Sequence, residues 1–355
     1  MNVSKTKEIA NSAQTRDEDL HNLTMIFGGH IYFQTLYAAI KLDLFSMLAD
    51  KGPMSQEEIA EALSIESKPA RILLLGLSSI RLLKKDGDQY SNMAISDELL
   101  CKKSPRNLNK IIEWEHEIVY QGMFYFYESI KANKNLGLEV FKGNEKTLYE
   151  RLAHVEEKNQ IFQDAMHQIS VQANADLVQH VDFSNIGYLV DVGGGDGTNL
   201  MQIADSFPHI RGAVFDLSSV CPITEKNLKD KGYSNRIEAI SGDCFQDAFP
   251  EGADCFLFSH FMTIWSEEKD RTLFQKAYDA LDDGGKVMIF NQMQDNDRQG
   301  PLFASIGSPY FLTIATGEGM LYTWQEYEDW MKDAGFQDIQ SYELPRNHGV
   351  IIGTK

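Results

Sequence analysis

The sequence predicts an α/β protein in two parts: a mainly helical winged domain over residues 21–145, then a Rossmann-like domain over residues 146–355 that begins with a linker helix. Three observations carry this reading. The apolar run Leu189–Val192 enters a glycine-rich turn, Gly193-Gly-Gly-Asp-Gly197, and a helical pattern starts at once behind it. Short apolar runs recur after that turn, separated by helical segments, as expected of βα units stacking a parallel sheet. Residues 54–96 read as helix, turn, helix and wing.

In chain order, residues 1–20 are polar and are expected to be flexible. From Leu23 to about Phe141 apolar residues fall at three- and four-residue spacings, the helical period. Inside this stretch Met54-Ser-Gln-Glu-Glu-Ile-Ala opens one helix and Lys68-Pro-Ala-Arg71 a second. Leu82-Leu-Lys-Lys-Asp-Gly-Asp-Gln-Tyr90 makes the wing. The second helix turns apolar after Lys68 and Arg71, and the whole chain carries 33 Lys and Arg against 52 Asp and Glu, a net charge of −19. Such a surface repels a phosphodiester backbone, so the winged segment is read as a dimerising element rather than a nucleic-acid reader. Helices apolar on more than one face point the same way, to a homodimer.

A polar connector, Lys142–Thr147, precedes a long helix expected from about Leu148 to Val181. The glycine turn follows its strand, and a helix is expected from Thr198 to Phe207. Further strands are read at Gly212–Asp216, up to Ile240-Ser-Gly-Asp243, at Asp254–Ser259 and at Lys286–Phe290. A helix containing Asp270 to Leu281 separates the last two.

The turn fits a nucleotide-like ligand, and its details choose which. The third glycine comes one position too early for a dinucleotide fingerprint, and no Gly-Lys-Ser/Thr follows for a phosphate loop. Two carboxylates flank the turn instead, Asp191 and Asp196, which favours a cationic ligand over pyrophosphate. S-adenosylmethionine, with its sulfonium and ammonium groups, is such a ligand, and S-adenosylhomocysteine is its product. Gly193 and Gly195 let the backbone approach it. Asp216 ends the next strand about 20 residues on, where a carboxylate meets ribose hydroxyls, with Leu217 beside it. Asp243, Cys244 and Phe245 suit the adenine amine and ring, and Ser259 and Trp265 complete the expected cofactor site.

These elements, together with Phe215-Asp-Leu217, Trp265-Ser-Glu-Glu, Leu281-Asp-Asp-Gly-Gly-Lys286, Thr323-Trp-Gln-Glu-Tyr, Ala334-Gly-Phe336 and Tyr37-Ala-Ala-Ile-Lys-Leu-Asp-Leu-Phe, resemble the caffeate and hydroxyindole O-methyltransferase family. The resemblance spans nearly the whole chain. It implies a class I methyltransferase domain, a small aromatic acceptor, and a homodimer in which each N-terminal domain helps close its partner's pocket. It places Tyr120, Met123, Phe162, Met166, Phe303 and Phe311 on the acceptor pocket, with Tyr310 next to them.

The chain departs from that family at the chemistry. Where hydroxyl-methylating members carry His-Asp-Trp, this sequence reads Thr263-Ile264-Trp265, and the two supporting acids fall on Asn291 and Leu321. Thr263 and Asn291 are left as hydrogen-bonding groups, and His116 and His260 are the histidines that could stand in as a base, His260 being read first as a packing residue. A positioned base typically contributes about 10²–10⁴ in rate. Without it, proximity and alignment favour a nitrogen, a carbon or an acidic hydroxyl as acceptor. Two other readings stay open: an enzyme that uses the cofactor for cyclisation, rearrangement or decarboxylation without methyl transfer, and a winged-helix binder without catalysis. Four cysteines without a Cys-x-x-Cys pair, no metal-ligand spacing and no apolar stretch of about 18 residues are read as a cytoplasmic protein with reduced thiols and no metal, membrane or nucleic-acid partner.

Overall fold

Five runs become the parallel strands of one sheet, most of them joined by helical crossovers and buried on both faces, the exception being the half-exposed edge run Ile237–Ser241. In the computed structural model, which describes residues 16–355, they are β4 (Tyr188–Val192), β5 (Arg211–Asp216), β6 (Ile237–Ser241), β7 (Cys255–Ser259) and β8 (Lys286–Gln292). Two more strands, β9 (Gln337–Leu344) and β10 (His348–Thr354), complete a seven-stranded sheet in the order β6-β5-β4-β7-β8-β10-β9. β10 runs antiparallel to both neighbours, pairing His348 with Gln292 and with Leu344. The sheet is therefore mixed, not wholly parallel as the sequence pattern predicts. β9 is an edge strand with an almost wholly exposed side-chain pattern, so it shows none of the apolar alternation that marks a strand in sequence.

β4 is the first strand of the parallel set and is flanked by β5 on one side and β7 on the other. The chain order reverses direction there, which opens a crevice beyond the carboxyl ends of these two strands. One face of the sheet packs Phe256, Phe258, Phe274 and Tyr327, and the other packs Leu177, Leu200, Leu257 and Phe290, all fully buried. Thr198–Ser206 forms the helix that the glycine turn opens, and Glu267–Ala280 the helix between β7 and β8. The expected continuous helix from Leu148 to Val181 is two helices, Leu148–Leu152 and Glu156–His180, broken at Ala153–Val155.

The molecule divides into two units at Glu113/Trp114, earlier than the boundary at 145 read from the sequence. The reason lies in the packing of the second unit, where Trp114 sits edge-on to Tyr310 and Gly122 faces Ile314. In the first unit, β1 (Met54–Ser55), β2 (Leu83–Asp86) and β3 (Gln89–Asn92) form a small sheet in the order β1-β3-β2. Helices Gln56–Ala62 and Ser67–Ser79 complete the wing-and-helix arrangement. Ser55 and Glu58 cap the first of these reciprocally, which fixes its start. Leu44, Phe45, Ile59, Leu74 and Leu77 form its core. Residues 1–15 of the stretch expected to be flexible lie outside the described residues. Residues 16–20 instead begin a helix running to 27, because Leu20, Leu23 and Phe27 fall at helical spacing. That helix leaves Leu20, Leu23, Ile26 and Phe27 exposed, and Ile72 and Leu75 are exposed on the helix Ser67–Ser79. Among the described residues no helix is long and apolar enough to cross a membrane.

Candidate active site

The glycine turn is built by contacts that leave no room for side chains. Gly193 has φ +71° and donates its N–H to the Phe215 carbonyl at 2.8 Å, and a Cβ there would run into the Phe261 ring. A Cβ at Gly194 would lie 2.5 Å from Asp191 Oδ2. Gly195 has φ +58° and open space where its Cβ would be, so the backbone is bare on the side a ligand can approach. Thr224 Oγ1 donates to the Gly195 carbonyl at 2.6 Å and pins the turn from below.

Three carboxylates surround this turn, each in a different state. Asp216 accepts from Gly195 N at 2.9 Å and Leu217 N at 2.7 Å, one bond to each oxygen, which leaves further lone pairs on both. Burial raises its pKa and these two bonds oppose the rise. Asp191 is fully buried and neither of its oxygens has a hydrogen-bond partner among the described residues. Burial pushes its pKa up to about 8, the nearby Asn199 side chain opposes the rise, and the Asp216 and Asp196 charges add to it. Asp196 is pushed up by burial but ends below the usual carboxylate range, because His167 and Thr198 hydrogen-bond to it. His167 Nδ1 lies 3.4 Å from Asp196 Oδ2 and 3.2 Å from Thr198 Oγ1.

A buried carboxylate with no partner is a costly feature unless a ligand supplies the missing donor or charge. The Asp191 oxygens under a bare glycine backbone, with two more acids within electrostatic reach, fit a ligand bearing an ammonium and a sulfonium. Further along the same edge, Asp243 Oδ1 accepts from Phe245 N at 2.9 Å, and Phe245 meets Trp265 edge-on with ring centroids 4.9 Å apart. Lys269 Nζ sits 4.6 Å from the Trp265 centroid and 2.7 Å from Glu318 Oε2. Burial pushes the Cys244 thiol up to about 12, so it stays protonated. Ser259 is buried at the end of β7, and Leu217 is half exposed beside Asp216.

The positions read as catalytic fall in different surroundings, although His260 N donates to the Phe290 carbonyl at 2.8 Å, next to Asn291. Asn291 is fully buried, and its Nδ2 lies 3.5 Å from Tyr327 Oη. Thr263 is buried in the short turn Met262–Ile264, packed under Gly319 so closely that a Cβ on that glycine would strike its carbonyl. His260 takes a left-handed φ of +52° that turns the chain out of β7, and its ring is enclosed against Phe290 and His348. Burial, with the His348 charge, lowers its pKa to about 3. His116 lies on a π-helical turn, Glu115–Val119, where Nδ1 is 3.2 Å from Glu117 Oε1 and the ring stacks on Tyr120.

On the acceptor side, Phe162 packs on Tyr149 at 5.7 Å and Phe311 on Tyr310 at 5.2 Å. Burial raises the hydroxyls of both Tyr149 and Tyr310 above the usual tyrosine range. Met123 and Met166 are half-buried, whereas Phe303 is exposed, about two helical turns from Tyr310. Sequence reasoning missed Glu115, Tyr149, Lys269 and His348. A partial signal existed for Glu115 alone, a carboxylate next to a tryptophan in an aromatic-rich stretch. Among the described residues no group of three or more His, Cys, Asp or Glu side chains is arranged to hold a metal ion.

Comparison with known proteins fits this geometry. Residues 128–337 match the O-methyltransferase domain model and residues 24–102 the O-methyltransferase dimerisation domain model. An L-tyrosine C(3)-methyltransferase of Streptomyces lavendulae is 35% identical over 341 residues, covering 95% of this chain and 93% of its own. A 3-hydroxy-5-methyl-1-naphthoate 3-O-methyltransferase of Streptomyces sahachiroi is 29% identical, covering 91% of each. The crystal structure of the S-adenosylmethionine-dependent methyltransferase SibL in its apo form superposes with a TM-score of 0.86 at 35% identity, covering 95% of this chain and 99% of that one.

Proposed function

This chain belongs to the O-methyltransferase family and is an S-adenosylmethionine-dependent methyltransferase, and we propose that it methylates a small phenolic or amine-bearing aromatic at carbon or nitrogen, chiefly by alignment. Bound S-adenosylmethionine supplies an electrophilic methyl group on a sulfonium. Asp191 and the Gly193–Gly195 backbone would hold its amino-acid end, Asp216 its ribose hydroxyls, and Asp243, Phe245 and Trp265 its adenine. Phe162, Tyr310 and Phe311 would clamp the acceptor ring and exclude water. Thr263 and Asn291 would act by packing and orientation, since both are buried.

The observation that supports alignment over base catalysis is the state of the positions nearest the expected base. Thr263 and Asn291 carry no titratable group, and a pKa lowered to about 3 makes His260 a weak proton acceptor. Carbon and nitrogen nucleophiles of activated aromatics react with a sulfonium once aligned, and alignment can supply roughly 7–11 kcal/mol of a barrier. The identity to a tyrosine C(3)-methyltransferase supports carbon as the acceptor atom. Exposed Leu20, Leu23, Ile26 and Phe27 beside the dimerisation match support a homodimer in which these side chains are covered by the second copy.

The test is incubation with methyl-labelled S-adenosylmethionine and L-tyrosine, tyramine and substituted naphthols, followed by mass spectrometry of products and quantitation of S-adenosylhomocysteine. One S-adenosylhomocysteine per ring- or nitrogen-methylated product is expected. S-adenosylhomocysteine without a methylated product, or methylation confined to unactivated hydroxyls, would overturn the reading.

A further inference from the structure

Glu115 is a carboxylate beside the acceptor wall with no ion-pair partner among the described residues. It opens the π-helical turn Glu115–Val119 and is half-buried. Its neighbours are aromatic. Trp114 meets Tyr310 edge-on at 5.2 Å, Phe311 packs on Tyr310 at 5.2 Å, and the Glu115 charge helps to raise the Tyr310 hydroxyl. The cations nearby are engaged elsewhere: Lys158 Nζ donates to the Glu117 carbonyl at 2.8 Å and lies 3.9 Å from Glu117 Oε2, while His116 pairs with that residue's other oxygen.

The cluster adjoins the cofactor side of the crevice. Phe162, packed at a tilt on Tyr149, lies on the helix Glu156–His180 that brings His167 to Asp196 and Thr198. On the other side, Thr316 Oγ1 donates to the Ile264 carbonyl at 2.5 Å and Leu148 N to the Ala315 carbonyl at 3.2 Å. The segment leaving the Tyr310 helix therefore bridges the Thr263 turn and the start of the Tyr149 helix.

We propose that Glu115, next to Trp114 whose ring meets Tyr310, binds the ammonium group of a cationic aromatic acceptor. An unpaired carboxylate in a partly dry site costs free energy that a ligand ammonium returns. Electron-rich ring faces add cation–π attraction. Both phenols are pushed up by burial and stay neutral, so the rings offer no competing charge. Burial lifts Glu115 itself to about 7, so its negative form, and with it amine binding, builds up as pH rises through that value. On the flanking turn Glu117 faces Lys158 and His116, so neither of its oxygens is turned to the proposed ligand alone. The substrate class is thus an aryl amine or aromatic amino acid. This rests on the methyltransferase reading above and sharpens it.

The test uses the full-length enzyme saturated with S-adenosylhomocysteine and three ligands with one ring and three charges: tyramine, p-cresol and 4-hydroxyphenylacetate. Calorimetry near pH 8 should give tyramine a Kd at least about tenfold below that of p-cresol, with the acid binding most weakly. Glu115→Gln should cut the tyramine advantage to about threefold or less while p-cresol and S-adenosylhomocysteine bind as before. Wild-type tyramine affinity should fall from about pH 8 to pH 6, although the amine stays protonated throughout. Equal binding of tyramine and p-cresol by the wild type, a preference that survives Glu115→Gln, or no binding of any of the three overturns the proposal. If the variant does not fold, the wild-type charge series and its pH dependence still decide. Failure to bind S-adenosylhomocysteine would instead strike the methyltransferase reading.

Discussion

His260 and His348 face each other Nε2 to Nε2 at 3.0 Å, and their surroundings fix which one holds the proton between them. His348 Nδ1 lies 3.1 Å from the Arg346 carbonyl, which can only accept, so His348 carries its proton there and its Nε2 accepts. His260 then donates from Nε2, and its Nδ1 is left to accept from Ser259 Oγ at 3.3 Å. The result is a one-way chain from Ser259 to Arg346. Arg346 is in turn tied to Asp176 at 2.5 Å.

This chain is structural, and acid should reveal it. Burial lowers His260 to about 3 and His348 to about 4, the His348 and Arg346 charges respectively adding to the shifts. Unfolded histidines take up protons near pH 6.5, so the stabilisation from these neutral rings is complete above that pH and is lost as pH falls toward 3–4. Each contributes a slope of about 1.4 kcal/mol per pH unit across the window. Denaturant titrations from pH 7 to 4.5 should show it. His260→Ala, which strands the His348 acceptor, should cost about 1–3 kcal/mol near pH 7 and change turnover by less than about tenfold. A loss near 10³ in turnover at unchanged stability would make His260 a base after all.

Much of this architecture is written locally in the sequence. The glycine turn and the five parallel strands are legible because apolar runs, glycines and terminal acids lie within a few residues of one another, as from Leu189 to Gly197 and from Gly212 to Asp216. β9 is not, since an exposed edge strand such as Gln337–Leu344 has no apolar face to display. The acceptor wall is half legible. Phe162 and Phe311 announce themselves as aromatics, but the Trp114–Tyr310 contact in the same wall links residues far apart in the chain. Histidine's ordinary pKa draws attention to His116, whereas the structure singles out Glu115 next to it. A π-helical turn breaks the 3.6-residue period on which sequence reading depends, so which residue of Glu115-His-Glu117 loses water cannot be read from spacing.

Gly137 and Gly122 let two backbones touch behind the acceptor wall, and a methyl group there should loosen it. A Cβ at Gly137 would collide with the Gly122 carbonyl and lie 2.8 Å from the Thr313 carbonyl, both main-chain atoms that cannot rotate away. Gly137→Ala should cost about 1–3 kcal/mol of stability by overpacking. Because Thr313 ends the helix that carries Tyr310 and Phe311, acceptor KM should rise more than the Kd for S-adenosylhomocysteine. Thermal melts and steady-state kinetics check both halves, and an unchanged Tm would remove the packing argument.

Asp216 ties the turn to the ribose side of the crevice, and its loss should be felt twice. Its two oxygens hold Gly195 N and Leu217 N, so Asp216→Ala deletes the carboxylate and frees the turn it braces. Calorimetric titration should show S-adenosylmethionine and S-adenosylhomocysteine weakened by at least about 100-fold, some 2.7 kcal/mol. Asp216→Asn can accept only through one oxygen and should fall between. Unchanged affinity in both variants would move the ribose site elsewhere.

Asp191 should trade stability for binding. The carboxyl titrates at about 8 in the folded protein and near 4 when unfolded, so between those values the folded state holds the extra proton and stability falls as pH rises. Asp191→Asn removes that titration while keeping the side chain's size. It should raise the stability of the ligand-free protein near pH 8 by about 1–3 kcal/mol and flatten its decline between pH 5 and 8. The same change removes the charge that would face the ligand's ammonium, so S-adenosylmethionine affinity should drop by about tenfold or more. The ligand-induced rise in Tm should shrink with it, because stabilisation by a ligand follows its affinity for the folded state. Paired melts with and without S-adenosylmethionine test both signs together. A variant that is no more stable than the wild type yet binds poorly would mean that Asp191 is satisfied in the ligand-free protein and supports the turn directly.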